Sequence, residues 1–184
     1  VAFLEDREMA VIDASGPRFL DFKGAPVEKK IEKISWSPLM VEKQGFKHFM
    51  LKEIYEQPQV IRDTLMGRIS LDRGEVLLAE TGIPEKIFRD VRKAVIIACG
   101  TSSHAGLIGK YMFEMLAGIP TEVNYAAEFR YAAPVIEPDT LVIAISQSGE
   151  TADTLAGVRE AQRRGAQAIG IVNAVGSSIA RECG

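Results

Sequence analysis

Residues 141–157, LVIAISQSGETADTLAG, carry the clearest indication of the fold class of this chain. The segment passes from an apolar run, through a turn rich in hydroxyl side chains, into the beginning of a helical pattern. A short run that is apolar throughout is typical of a strand buried on both faces of a parallel sheet. The segment therefore predicts one strand–turn–helix unit of an α/β protein.

The same unit recurs along the second half of the chain. Three further strands are predicted at AVIIA (94–98), TEVNY (121–125) and AIGIV (168–172). Helical patterns occupy residues 103–118 and 152–165, with Gly165 as the expected C-terminal stop of the second, and SSIAREC (177–183) begins another. Alternation of strands and helices predicts a doubly wound parallel sheet with right-handed crossovers.

The first half of the chain has a different organisation. MAVI and RFLDF, together with VAFL at the start, predict short antiparallel strands within residues 1–26. Residues 27–47 are charged and irregular, and they predict a connecting segment. FKHFMLKEIYEQP (46–58) has near-helical apolar spacing, and Pro58 is expected to end that helix. VIRDTLMGRI (60–69) predicts a second short helix.

Composition argues against several classes of protein. Lys and Arg total 22 against 25 Asp and Glu, and the charges are scattered, so no nucleic-acid partner is expected. No apolar stretch approaches the roughly 18 residues that a membrane helix needs, so no membrane partner is expected either. Cys99 and Cys183 lie far apart, which predicts no disulfide, no metal site and a cytoplasmic protein. Val1 stands where an initiator Met would be, so we expect a piece of a longer protein.

Two hydroxyl-rich turns form the candidate binding site. CGTSS (99–103) follows the first predicted strand of the sheet and SQSGET (146–151) follows the third. If the strand order is 2-1-3-4-5, these strands are neighbours and the two turns flank the topological switch point, where ligands bind. Helix N-termini favour an anion there, and Gly100 and Gly149 allow close approach of the backbone. Neutral hydroxyl donors are supplied by Thr101, Ser102, Ser146, Ser148 and Thr151.

A simpler explanation is that these hydroxyl residues only cap helices, since Ser and Thr are common at N-caps. One cap needs one hydroxyl, however, and the second turn supplies three within six residues. The chain contains no GxxxxGK[ST] motif, and CGTSSHAG is not a GxGxxG turn, which argues against a nucleotide phosphate. The pattern therefore favours a sugar phosphate held without cationic side chains.

The motifs CGTSSHAG, SQSGETADT, KHFMLKEIYEQP and AAEFRYA, in their positions along the chain, resemble the glutamine–fructose-6-phosphate aminotransferase (isomerizing) family, also called glucosamine-6-phosphate synthases. The resemblance covers the whole chain. It implies the end of a glutaminase domain at 1–26, an interdomain connector with helices at 27–84, and the first part of the first sugar isomerase (SIS) domain at 85–184.

The resemblance also implies roles for individual residues. It assigns binding of fructose 6-phosphate and glucosamine 6-phosphate to Thr101, Ser102, Ser146, Gln147, Ser148 and Thr151. The family's N-terminal cysteine nucleophile has no counterpart at Val1, and its Schiff-base lysine, proton-transferring glutamate and ring-opening histidine would follow Gly184. No catalytic residue, cofactor or metal is therefore expected in this chain, which alone should be inactive. The family implies a homodimer.

Two alternatives remain at this point. A non-catalytic SIS module that senses a sugar phosphate would be preceded by a basic helix–turn–helix segment, whereas β-structure and the KEIYEQP connector are expected here. A simple sugar-phosphate isomerase gives no reason for that connector.

Other chemically reactive or charged residues are expected to be structural. Cys99 directly follows an apolar strand and should be buried. His104 lies in a helix first turn, where the dipole lowers imidazole basicity, and packing is the expected role of His48 and Trp36. Glu128 and Arg130 could form an ion pair near the site or a subunit contact, and the sequence leaves both open.

Overall fold

The computed structural model describes residues 2–31, 42–78 and 81–183. The chain divides into two compact units, Val1–Met66 and Gly67–Gly184. The division falls inside the segment 27–84 that is predicted to be a connector, and the predicted domain boundaries stay predictions. Trp36 lies outside the described residues.

The first unit begins with an antiparallel hairpin of β1 (Glu8–Asp13) and β2 (Gly16–Asp21). This confirms the strands predicted from MAVI and RFLDF. The strand predicted from VAFL is wrong, because residues 2–4 are not in a strand. The chain turns between Glu5 and Glu8, where the amide of Glu8 donates to the carbonyl of Glu5 at 3.2 Å. The pairing of β1 with β2 begins after this turn, at Glu8.

A single long helix, α1 (Phe49–Leu65), follows in the first unit, with Pro58 in its interior. The predicted stop at Pro58 is therefore wrong, and the two predicted helices are one. A proline in a helix removes the amide that would bond to the carbonyl four residues earlier, here that of Ile54. Both residues lie on an exposed part of the helix, where water can hydrate that carbonyl, so the helix continues.

The second unit is built on a four-stranded parallel sheet. A small hairpin of β3 (Ile69–Ser70) and β4 (Glu75–Val76) and the short helix α2 (Glu85–Asp90) precede it. The strands of the sheet are β5 (Lys93–Ala98), β6 (Thr121–Tyr125), β7 (Thr140–Ser146) and β8 (Gln167–Val172), in the order β6-β5-β7-β8. The predicted α/β class, the four strands and the neighbouring positions of the first and third of them are confirmed.

Four helices accompany the sheet: α3 (Thr101–Met112), which continues into a π-helical turn (Phe113–Ala117), α4 (Ala126–Tyr131), α5 (Ala152–Arg163) and α6 (Ser178–Glu182). Gly165, two residues after α5, has φ +89°, in agreement with a C-terminal stop. The sequence patterns did not indicate α2 or α4, since six residues are too few to show a helical period. None of the described helices has the length and apolar character needed to cross a membrane.

The core explains the apolar runs 94–98 of β5 and 141–145 of β7. Side chains of one face, including Ile97, Val142 and Val158 of α5, form one buried cluster. Side chains of the other face, Ile96 and Ile143 among them, form a second. Each fully buried side chain of this size stabilises the fold by about 1.5–3 kcal/mol. Burial on both faces holds the carboxyl ends of these two strands in a fixed position.

Candidate functional site

The two hydroxyl-rich turns begin side by side at the carboxyl edge of the sheet. Ala98, the last residue of β5, is the register partner of Ile145 in β7. The next residues, Cys99 and Ser146, therefore leave neighbouring strands whose backbones are about 4.8 Å apart. The predicted juxtaposition of the turns at the topological switch point follows from this register.

Within the second turn, the side chains of Ser146 and Ser148 bond to the backbone of the same turn. Ser146 is 5% exposed, and its Oγ accepts the amide hydrogen of Gly149 at 3.0 Å. The Oγ of Ser148 accepts the amide hydrogen of Glu150 at 3.2 Å. Ser146 Oγ also lies 3.2 Å from Thr151 Oγ1, and either hydroxyl can donate to the other. Gly149 has φ +66°, a left-handed conformation that favours glycine.

These hydrogen bonds leave hydroxyl hydrogens available to a ligand. A hydroxyl carries one donor hydrogen and two acceptor lone pairs. Ser148 accepts an amide hydrogen and so keeps its own hydrogen for donation. The Ser146–Thr151 pair uses one of its two hydrogens between its members and keeps the other. The turn can therefore offer two hydroxyl hydrogens to an anion.

A pure capping role does not account for the second turn. Thr151 is the N-cap residue of α5, yet its side chain makes no capping hydrogen bond to that helix. Its hydroxyl is directed instead to Ser146. The N-terminus of this twelve-residue helix is thus not capped by a side chain at its N-cap position.

The hydroxyls of the first turn differ in their access to solvent. Gly100 has φ +56° and ψ −136°, which only glycine adopts readily. Ser103 is buried, and its Oγ donates to the carbonyl of Gly100 at 2.7 Å. Thr101 is exposed and Ser102 half-buried, so these two remain accessible at the start of α3.

A third segment contacts the second turn, and the sequence gives no sign of it. The amide of Ala174 donates to the carbonyl of Gln147 at 3.2 Å, and the amide of Ile179 donates to the carbonyl of Gly149 at 2.9 Å. The amide of Ser178 donates to Glu150 Oε1 at 2.8 Å. These three contacts join residues that are 27 to 30 positions apart in the sequence, and one of them is made by the side chain of Glu150.

The electrostatics of the turns are unusual for an anion site, since 99–103 and 146–151 contain no lysine or arginine. Glu150 is their one charged residue. Hydrogen bonds from Ser178, and to a smaller extent the charge of Arg181, lower the pKa of the Glu150 carboxyl, which therefore stays ionised near neutral pH. Its negative charge is directed toward α6.

Ser177 is buried at the start of α6, with 6% exposure. Among the described residues its Oγ has no hydrogen-bond partner. A side-chain carbon built on Gly149 would lie 1.9 Å from this oxygen, so Ser177 and Gly149 are in close contact.

The other reactive residues, Cys99, His48 and His104, are less buried than the structural roles predicted for them would require. Cys99 is half-buried against the core, and Thr154 Oγ1 donates to its Sγ at 3.7 Å. His48 precedes α1 and is exposed, in disagreement with the packing role predicted for it. His104 is the fourth residue of α3, at the end of its first turn, and is also exposed. The guanidinium of Arg130 lies 5.3 Å from the ring centre of Tyr131.

Known proteins resemble both the sequence and the fold. A family model described as SIS domain matches residues 87–184. The chain is 46% identical over 182 residues to a glutamine–fructose-6-phosphate aminotransferase (isomerizing) of Symbiobacterium thermophilum, covering 99% of this chain and 30% of that protein. The enzyme of the same name from Gloeobacter violaceus is 50% identical over 179 residues, covering 97% of this chain and 29% of that protein. The chain thus spans somewhat under a third of the length of these curated relatives.

Solved structures agree with the sequence matches. The C-terminal domain of glucosamine-fructose-6-phosphate aminotransferase from Francisella tularensis superposes with a TM-score of 0.69 at 39% identity, covering 77% of this chain and 39% of that one. The sugar isomerase domain of an RpiR transcription factor from Sphaerobacter thermophilus gives a TM-score of 0.54 at 15% identity, covering 73% of this chain and 72% of that one. The second likeness is one of fold alone.

Proposed function

The chain belongs to the SIS domain family, and from this membership we propose that it is the sugar-phosphate-binding part of a glutamine–fructose-6-phosphate aminotransferase (isomerizing). The complete enzyme would convert fructose 6-phosphate and glutamine to glucosamine 6-phosphate and glutamate. In this proposal the chain contributes binding and positioning, and the groups that move protons and release ammonia belong to other parts of the enzyme.

The observation that carries the proposal is the hydroxyl arrangement after β7. Ser148 Oγ and the Ser146–Thr151 pair accept or share hydrogen bonds within the turn and keep hydrogens to donate. A phosphate group has several oxygens that need such donors. The proposed phosphate donors are therefore Ser148 and one hydroxyl of the Ser146–Thr151 pair, with Thr101, Ser102 and Gln147 completing the sugar-phosphate site.

Identity outside the SIS domain favours the aminotransferase over the two alternatives. The match to the aminotransferases extends over 97–99% of the chain, so it includes residues before position 87, where the SIS model begins. A sensor module or a simple isomerase gives no reason for that similarity. The proposal keeps a glutaminase end at 1–26, a connector at 27–84 and an SIS domain from 85, in a cytoplasmic homodimer.

Calorimetric titration of the 184-residue chain tests the binding role. Fructose 6-phosphate is expected to bind, fructose is not, and inorganic phosphate is expected to bind more weakly because it lacks the sugar contacts. Ser148→Ala should weaken binding, since each hydrogen bond to a charged group contributes about 1.5–3 kcal/mol. Equal heats for fructose and fructose 6-phosphate would contradict a phosphate site, and tighter binding of a different sugar phosphate would contradict the assigned substrate.

A further inference from the structure

We propose that Glu150 is a positioning residue, whose carboxylate ties the start of α6 to the turn 146–151 and thereby holds the hydroxyls of that turn ready for an anion. The inference rests on the proposed function for the identity of the ligand. It concerns a residue that the family resemblance leaves without a role.

A carboxylate in an anion site requires an explanation. Two like charges about 4 Å apart repel by roughly 1 kcal/mol in water and by more near a protein surface. Glu150 lies between Gly149 and Thr151, so its charge is unfavourable for a phosphate unless another contact compensates. That contact is the amide of Ser178, 2.8 Å from Oε1.

Helix α6, whose first residue bonds to Glu150, is itself anchored at its C-terminal end. Arg159 of α5 donates to both carboxylate oxygens of Glu182 at 3.2 and 3.3 Å. Gln162 Nε2 donates to the carbonyl of Glu182 at 2.9 Å. Because α6 is bonded to α5 through Glu182, the contact between Ser178 and Glu150 connects the turn to a helix that is itself held in place.

The two residues of the turn that contact α6 also carry the backbone amides that orient the hydroxyls. Glu150 supplies the amide that bonds to Ser148 Oγ, and Gly149 supplies the amide that bonds to Ser146 Oγ. The carbonyl of Gly149 accepts the amide of Ile179. Displacement of Glu150 from α6 would therefore disturb both amide–hydroxyl bonds while leaving the core strands intact.

Two variants and a matched control separate positioning from charge. Glu150→Ala removes the contact with Ser178, whereas Glu150→Gln retains an oxygen that can accept the same amide hydrogen. Asp153→Ala is the control, because Asp153 is an exposed carboxylate in the first turn of α5. Asp153→Ala removes one negative charge, as Glu150→Ala does, but it leaves the bond between Glu150 and Ser178 in place.

The first measurement is amide hydrogen exchange of the unliganded chain by NMR. We expect exchange at Gly149 and Glu150 to be about tenfold faster in Glu150→Ala, the effect of losing roughly 1.4 kcal/mol of local protection. Glu150→Gln should stay within about twofold of the parent on the same reasoning, and Asp153→Ala should equal the parent. Amides of β5 and β7 report whether the fold is intact. Unchanged exchange in Glu150→Ala would overturn the positioning role.

The second measurement is the dissociation constant of fructose 6-phosphate. It should rise about fivefold to tenfold in Glu150→Ala and little in Glu150→Gln, as expected for loss of one hydrogen bond. Tighter binding in Glu150→Ala, with the same gain in Asp153→Ala, would show that only charge matters and would overturn the inference. If the parent chain does not bind this ligand, the proposed function fails, and hydrogen exchange alone decides the role of Glu150.

Discussion

Gly149 and Ser177 are in such close contact that position 149 has no room for a side chain. A carbon attached there would lie 1.9 Å from Ser177 Oγ and 2.6 Å from Val172 Cγ1. Gly149 is in the turn that follows β7, and Ser177 precedes α6. The contact thus joins two segments that are distant in sequence at the edge of the candidate site.

Gly149→Ala should therefore be strongly destabilising. Gly165→Ala is the matched control, because Gly165 also has positive φ but has no atom within 4 Å of the position of an added carbon. The control should lose only the roughly 1–2 kcal/mol of left-handed strain, whereas Gly149→Ala should lose about 1–3 kcal/mol more through overlap. Urea unfolding measures the free energy of unfolding of both variants. Equal losses of this free energy would contradict the close contact with Ser177.

Ser177→Ala should be neutral or stabilising, although it alters a buried residue. A buried hydroxyl without a partner costs about 1–3 kcal/mol, and the methyl group does not incur that cost. Ser103→Ala is the control, since Ser103 is similarly buried and donates to the carbonyl of Gly100. It should lose about 0.5–1.5 kcal/mol. A larger loss in Ser177→Ala than in Ser103→Ala would show that Ser177 Oγ has a partner, such as bound water.

Ser148→Ala and Ser146→Ala should raise KM for fructose 6-phosphate in a full-length aminotransferase that carries this segment. Loss of a hydrogen bond worth about 1.5–3 kcal/mol corresponds to roughly tenfold or more. Ser146→Ala should also lower stability, because the amide of Gly149 loses its acceptor. Ser70→Ala, in the β3–β4 hairpin, serves as control. Steady-state kinetics that are the same for all three variants would contradict the assigned donors.

Acid should selectively weaken the contribution of Glu160 to stability. Hydrogen bonds from Arg163 and Arg164 lower the pKa of its carboxyl from 4.5 to about 2. Because the folded-state pKa is the lower one, the stabilisation is complete above about pH 4.5 and is lost as the pH falls toward 2. Glu160→Gln should be less stable than the parent near neutral pH, and the difference should shrink in that window. Urea midpoints across the range test this, and a pH-independent difference would contradict it.

The 184-residue chain should make no glucosamine 6-phosphate from fructose 6-phosphate and ammonium. Proton transfer between C1 and C2 needs a base, and serine and threonine hydroxyls are too weakly basic near neutral pH. Glu150, the one carboxylate of the two turns, already accepts the amide of Ser178. Chromatographic detection of amino sugar checks the prediction. Turnover that persists after repurification and disappears in Glu150→Gln would identify Glu150 as the base.

The parallel sheet could be predicted from the sequence because its signal is local. β5 and β7 are buried on both faces, so their apolar runs mark them without any knowledge of the fold. The neighbouring positions of these strands followed from the usual order of doubly wound sheets. The position of Ser146 and Ser148 in a turn at the carboxyl edge of the sheet could therefore be predicted, whereas their role in binding stays a prediction.

Other features could not be predicted because they depend on tertiary contacts or on solvent. Pro58 indicates a helix end in isolation, but α1 is exposed at that point and continues. The bond between Glu150 and Ser178 requires β8 to end beside β7, where Val172 is the register partner of Ser146. No residue pattern near Glu150 indicates a partner 28 positions later.

The absence of lysine and arginine from both turns has a consequence for how fast a ligand could arrive. Full cationic charges attract anions over distances comparable to the Debye length and accelerate their diffusional encounter. Amide and hydroxyl dipoles act only at contact, so a site made of them provides no such steering. Phosphorylated sugars would then associate with the site at similar rates. The selectivity of the site would depend on the dissociation rate constant of each ligand, that is, on how long the ligand stays bound.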